Sequence, residues 1–171
     1  MISKLLYNYA GNLRCKLIKV NGQPYLERYL LGKIKGYTFY LHRFVSADGD
    51  RSLHNHPWDF SFSFVLSGWY IEDLLVDVNP NIPITGCDTK ERRVKFFNWI
   101  RGSKFHQIRF VAPGTWTLFC HSKRVKKKGW GWFRKQDNFT VYEPHTLDES
   151  KSRSWEEEFI GKFSGREPFT S

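Results

Sequence analysis

His54 and His56 stand one residue apart in the stretch RSLHNHPWDFSFSFVLSGWY, residues 51–70. In an extended strand, side chains at i and i+2 leave from the same face, so both imidazoles point one way and together can hold a divalent metal ion. The pair alone is weak evidence, because six histidines in 171 residues would produce one by composition about one time in five. The residues after the pair add weight. Pro57 cannot donate to a strand ladder, which predicts an edge, bend or bulge directly after His56. A bulge exchanges the two-residue parity, so the histidine face passes to Asp59, Ser61 and Ser63, while Phe60, Phe62 and Phe64 pack on the opposite side. The phenylalanines then build a wall, and the small polar residues leave room for a ligand.

The elements that would position these residues read as short strands. Cys15 to Val20 alternates apolar and polar residues, Asn21-Gly22 is a hairpin turn dipeptide, and Tyr25 to Leu31 resumes the extended pattern. TFYLHRFV is rich in aromatic and β-branched residues and ends at the turn cluster Ser46 to Asp50. After residues 51–67 and Gly68 comes a further strand from Trp69 to Asp73, then a loop over residues 79–90. RRVKFFNWI, HQIRFV and TWTLFCH read as three more strands, divided by Arg101-Gly102-Ser103 and Ala112-Pro113-Gly114. About eight to ten strands result, spaced as in sandwiches and barrels. Residues 152–163, SRSWEEEFIGKF, have a Ser cap, early acidic residues and a late Gly161, and predict one helical segment.

The length predicts one domain over residues 1–171, with a β core over about 15–143 and a helical tail over about 150–165. A hydrophobic fraction of 40% and an aromatic fraction of 18% exclude a largely disordered chain. The net charge of +10 is concentrated in Lys123, Arg124, Lys126, Lys127 and Lys128, followed by Arg134 and Lys135. A solvated hairpin loop accounts for that cluster; interleaving with Trp130, Trp132 and Phe133 keeps nucleic acid as a second partner class, since bases stack on rings above basic grooves. Cys15, Cys87 and Cys120 are odd in number and scattered, which is no disulfide framework. No apolar run approaches the ~18 residues of a membrane span, and no signal-peptide core opens the chain. A cytoplasmic setting is the expectation.

The spacing of His54-x-His56, Ser61 and Gly68 resembles the first motif of the cupin superfamily, in which a glutamate usually stands at the position of Ser61. YLHRFVSADGDRSLHNHPWDFSFSFVLSGWYIE and WTLFCHSKRVKKKGWGWF resemble, more narrowly, a group of small cupin proteins of phages, bacteria and large viruses, over roughly residues 25–135. The resemblance implies an all-β, cupin-type double-stranded β-helix (jelly-roll) barrel, here with a short C-terminal helix. It also implies a third metal histidine from a later strand, for which His106 in SKFHQIRF is the match.

With Ser61 in place of glutamate, the ligand set is either three histidines, as in thiol dioxygenases, or two to three histidines with Asp59. A 2-His-1-carboxylate set suits non-haem Fe(II) oxygen chemistry, and a histidine-only set also suits Zn, Ni or Cu. Fe(II) is favoured, with Mn a further candidate; Asp59 could instead hold the free nitrogen of a ligating imidazole. Trp58, Ser61, Ser63, Arg43 and Trp116 are the candidates to line a substrate pocket, Arg43 and Arg101 by pairing with a carboxylate or phosphate. Core packing is the plainer role for the tryptophans, and solvated surface for the arginines. His42 lies on a strand of the same block; His121 and His145 read as surface or loop residues. Two functions fit these residues, a mononuclear metal oxygenase acting on a small molecule or side chain, or a non-catalytic ligand-binding or structural module, with nucleic acid contact through residues 123–135 as a third. A homodimer fits either.

Overall fold

The structure, a computed structural model, describes residues 1–20, 22–47, 53–76, 89–125, 129–136, 139–144, 159–160 and 166–169. Along the chain run α1 (Ile2–Ala10), β1 (Cys15–Val20), β2 (Gln23–Ile34), β3 (Tyr37–Phe44), β4 (Leu53–His54), β5 (Phe60–Ser67) and β6 (Tyr70–Leu75). They continue with β7 (Thr89–Val94), β8 (Phe97–Arg101), β9 (His106–Val111), β10 (Trp116–His121), β11 (Gly131–Gln136), β12 (Phe139–Pro144) and β13 (Phe159–Ile160). One sheet has the order β13-β1-β2-β3-β10-β5-β8 and the other β12-β11-β4-β9-β6-β7, every pairing antiparallel. Strands distant in sequence lie side by side, β3 next to β10 and β4 next to β9, which is the interleaving of a jelly-roll double-stranded β-helix.

Parity assigns each sheet two faces, and the packing says which is inside. Val65 packs with Tyr70, Val94, Ile108 and Val111 of the other sheet, and Leu26 and Phe44 pack with Ile108 and Val111, so these residues face the barrel interior. On the outer side of the seven-stranded sheet, Cys15, Tyr29, Leu41 and Trp116 form a core with Ala10, covered by Leu6, Tyr7 and Leu13. The helix α1 therefore closes one outer face. It is short, its Met1 end lacks a side-chain cap, and Trp116 Nε1 donates to Ser3 Oγ at 2.9 Å. A nine-residue helix is marginal by propensity, so this packing holds it.

Three local expectations change. RRVKFFNWI is not one strand: β7 ends at Val94 and β8 starts at Phe97 in the other sheet, so the chain crosses between sheets there. Gly131–Gln136, expected within a solvated loop, is β11, paired with β12 and β4. The helical segment expected over residues 152–163 lies outside the described residues except for Phe159–Ile160, which form β13 against Cys15 and Lys16, and the helix described is the N-terminal one. Of the loop expected at residues 79–90, Thr89 and Lys90 belong to β7 and the remainder lies outside the described residues.

Candidate metal centre

β4 is only two residues long, yet it sets the site. His54 pairs with His106 of β9 on one side and with Trp132 of β11 on the other. Beyond it the chain leaves the ladder: Asn55 N–H donates to the Gly131 carbonyl at 3.2 Å, Gly131 N–H donates to Asn55 Oδ1 at 2.7 Å, and His56 N–H donates to the Gly102 carbonyl at 2.9 Å. Gly102 has to be glycine. A Cβ there would lie 1.6 Å from the Trp58 carbonyl oxygen and 3.0 Å from that of His56. The loop after β8 thus presses on the His56–Trp58 backbone and fixes where the second histidine sits.

His54, His56 and His106 offer ring nitrogens that all lie within 4.8 Å of one another, with His54 and His106 buried and His56 half-buried. The ring centroids are 5.0, 5.0 and 5.1 Å apart, and His56 Nε2 is 2.8 Å from His106 Nε2. Nitrogens bound to one ion through ~2.1 Å bonds are themselves only about 3.0–3.4 Å apart. The three imidazoles therefore fit a divalent ion: borderline-soft nitrogen donors converging on one point.

Behind His106 stands a residue that the sequence pattern does not single out. Glu72 is fully buried on β6, and its Oε2 lies 3.3 Å from His106 Nδ1. Arg92 Nε donates to Glu72 Oε1 at 2.8 Å, and Asn98 Nδ2 donates to both carboxylate oxygens at 2.9 and 3.1 Å. Burial by itself pushes the Glu72 carboxyl up, but the hydrogen bond and charge of His106, together with Arg92, outweigh it and hold the group below its ordinary value. An ionised Glu72 accepts from His106 Nδ1–H, which leaves Nε2 directed at the cluster. Asn98 also donates to Tyr70 Oη at 2.8 Å, and Ser63 Oγ lies 3.1 Å from the same oxygen. Burial, then the charge of Glu72, push the Tyr70 hydroxyl up to about 12, so it stays protonated.

A ladder of rings leads away from the metal cluster across the interior. The His56 ring stacks on Trp58 at 4.5 Å, and Trp58 stacks on His121 at 4.4 Å. His121 is thus a half-buried member of β10 and not a surface residue; its Nδ1–H donates to the Ser122 carbonyl at 2.7 Å, and burial lowers its pKa. His42 is buried, stacks on Phe119 at 4.6 Å, and accepts at Nε2 from Arg28 Nε at 3.2 Å. Burial, then the charges of Arg28 and His121, hold it well below its ordinary value, and it is neutral. His145 lies outside the described residues.

The remaining candidates divide by face. Ser61 and Ser63 are buried on the inner side while Phe64 is exposed, the arrangement that a parity exchange after Pro57 produces. Asp59 is exposed and stands outside the histidine group; the carboxylate beside that group is Glu72. Arg43 and Trp116 do not line the interior. They sit opposite each other in the β3–β10 register on the outer face, where Arg43 pairs with Glu27 at 3.1 Å and donates to the carbonyls of Glu167 and Pro168, each at 2.7 Å. One-residue parity decides this, since His42 and Phe44 take the inner face of the same strand. Arg101 is exposed at the end of β8. Of the basic cluster, residues 126–128 lie outside the described residues.

No protein-family model and no curated protein matches the chain. Among solved structures, it is similar to Fe(II)-HppE with the alternative substrate (S)-1-HPP, at 14% identity and a TM-score of 0.47, over 64% of this chain and 55% of that one. Hydroxypropylphosphonic acid epoxidase from S. wedmorenis aligns at 15% identity and a TM-score of 0.44, over 64% and 55% of the two chains. An uncharacterized conserved protein with a double-stranded beta-helix domain from Klebsiella pneumoniae aligns at 11% identity and a TM-score of 0.42, over 70% and 92%. The chain spans about half the length of the epoxidase structures. Its own strand order is that of a jelly-roll double-stranded β-helix, and its three histidines form a group suited to a metal ion.

Proposed function

We propose that this chain is a metal-binding cupin whose centre, His54, His56 and His106, holds a divalent ion, Fe(II) in preference to Zn, Ni or Mn, and serves an oxygenase acting on a small molecule in a reduced, cytoplasmic setting. The observation that carries the reading is the convergence of three imidazole nitrogens within 4.8 Å, with the ionised Glu72 behind His106. Bound Fe(II) would supply one-electron chemistry with dioxygen, for which open positions beside the three protein ligands are needed.

The chain's own residues have definable tasks. Glu72 keeps the Nδ1 proton of His106 in place, and Arg92 and Asn98 keep Glu72 in place. Trp58 covers one face of His56 and excludes water from it. Ser61, Ser63 and Tyr70 supply small or hydroxyl-bearing side chains on the inner wall, where a substrate's polar groups would be oriented. The free, buried thiols of Cys15 and Cys120 accord with the reduced setting. Elemental analysis of protein purified without added metal tests the reading: about one metal per chain is expected, lost in His56→Ala. Full metal content in that variant would falsify the ligand set. Oxygen consumption with Fe(II) and candidate small molecules then tests the chemistry.

A further inference from the structure

β8 is the last strand of its sheet among the described residues, pairing with β5 alone. Its register against β5 runs from Phe60↔Arg101 to Phe64↔Phe97. The ladder is closed by Gly102 N–H donating to the Asp59 carbonyl and Val65 N–H donating to the Phe96 carbonyl, both at 2.7 Å. Hydrogen-bonded and non-bonded positions alternate along an antiparallel pair, so residues 96, 98, 100 and 102 spend their backbone groups on β5. Phe97 and Trp99 therefore turn their N–H and C=O groups outward along this edge, and Arg101 its N–H, while the Arg101 carbonyl accepts from Lys104 N–H at 2.9 Å. The same three side chains lie on the outer face, while Asn98 and Ile100 are buried inside.

That face is apolar as well as open. Phe64, Phe97 and Trp99 are between 48% and 55% exposed, and Trp99 stacks on Phe60 at 5.0 Å. Aromatic side chains cover ~150–250 Å² each, so these three leave roughly 300 Å² of ring surface in water, more than a third of the ~800 Å² each partner contributes to a standard interface. A flat aromatic edge of this kind is one that proteins ordinarily shield with charge or cover with another strand.

We infer that β8 is the seam of a two-fold homodimer, in which the strand pairs antiparallel with β8 of a second copy about Trp99. The register is fixed by the outward-facing groups. Trp99 lies opposite Trp99 of the second copy, and Phe97 lies opposite Arg101, so each guanidinium meets a ring and no like charges face each other. The outward N–H and C=O of residues 97 and 99 and the N–H of residue 101 find partners across the seam, and the two sheets become one. Such an interface is self-complementary, as two-fold contacts must be. The inference is independent of the metal centre, since no ligand lies on this edge.

The test is sedimentation equilibrium of the full chain, with circular dichroism as the check on folding. The parent chain is expected to sediment as a dimer. Phe97→Lys sets a lysine against Arg101 of the second copy and should weaken association by about tenfold or more, whereas Phe97→Glu sets a carboxylate against the same arginine and should retain the dimer. Trp99→Cys should be captured as a covalent dimer by a short bis-maleimide, and Lys90→Cys on β7, the edge strand of the other sheet, should not exceed the background of the parent chain. A parent chain that is monomeric up to about 100 µM overturns the inference. So does equal loss, or equal retention, of the dimer in the Lys and Glu variants, or cross-linking at position 90 in preference to 99.

Discussion

At the scale of single residues, Glu72 and His42 show how the barrel interior fixes protonation. Glu72 touches the cluster only through His106, so Glu72→Gln removes the charge that holds the Nδ1 proton while preserving shape. The expected outcome is a 10- to 100-fold loss of metal affinity, measured by chelator competition, with little change in fold; unchanged affinity would show that Glu72 does not orient the ligand. His42 has the opposite electrostatic sense. It is held neutral in the fold, with a pKa below the ~6.5 of an unfolded chain, so from ~6.5 downward the unfolded state binds the extra proton. Stability is therefore expected to fall as pH drops from 7 toward 5, by up to ~1.4 kcal/mol per pH unit from this residue. Thermal melts of His42→Phe should show a shallower pH dependence than the parent. An equal slope in both would remove His42 from the account.

At the scale of elements, two segments that have no regular structure of their own set the site. The His56–Trp58 run is positioned by the loop after β8, and Gly102→Ala would drive a methyl group into the Trp58 carbonyl. Since backbone cannot swing aside as a flexible side chain does, that variant is expected to lose ~1–3 kcal/mol or more and to bind metal more weakly, measured by denaturant unfolding and by metal content. A fully stable, metal-loaded Gly102→Ala would mean that the loop yields easily. Much of this is legible from the residues alone. The Phe–Ser alternation of β5 and the parity exchange after Pro57 are local consequences of period two, and His54, His56 and His106 are conspicuous residue types at strand positions. Glu72 is not legible, because in WYIEDLL the adjacent acidic pair Glu72-Asp73 reads as solvent-facing; its burial depends on β8 and β9 closing over it. The pocket positions expected for Arg43 and Trp116 fail for a similar reason. Both faces of β3 and β10 are buried, so alternation carries no sign of which is inside. The strand at residues 159–160 runs against an acidic, helix-like composition, because pairing with Cys15 and Lys16 outweighs a weak helical preference.

At the scale of the whole molecule, the outer face of the seven-stranded sheet is held by polar groups as much as by its apolar core. Glu27 is fully buried; Arg43 pairs with it, Tyr29 Oη donates to it at 2.5 Å, and Glu167 N–H donates to it at 2.7 Å. Arg166 sits over the Tyr7 ring at 3.6 Å, and Phe169 packs on the same ring at 5.3 Å. Removing one partner of such a pair strands a buried charge, so Arg43→Ala is expected to cost ~3–5 kcal/mol and lower the melting temperature by about 10 °C. A loss below about 2 °C would contradict that picture. The position of residues 166–169 has a further consequence for synthesis. The ribosome delivers the N-terminal strands long before residue 167, so a nascent chain carries Glu27 with its guanidinium partner but without the amide that completes its shell. Closure of that flank therefore waits until residues 167 and 168 have been synthesised, and chains arrested upstream of residue 166 would leave the Glu27–Arg43 pair without the backbone amide and carbonyls that complete it.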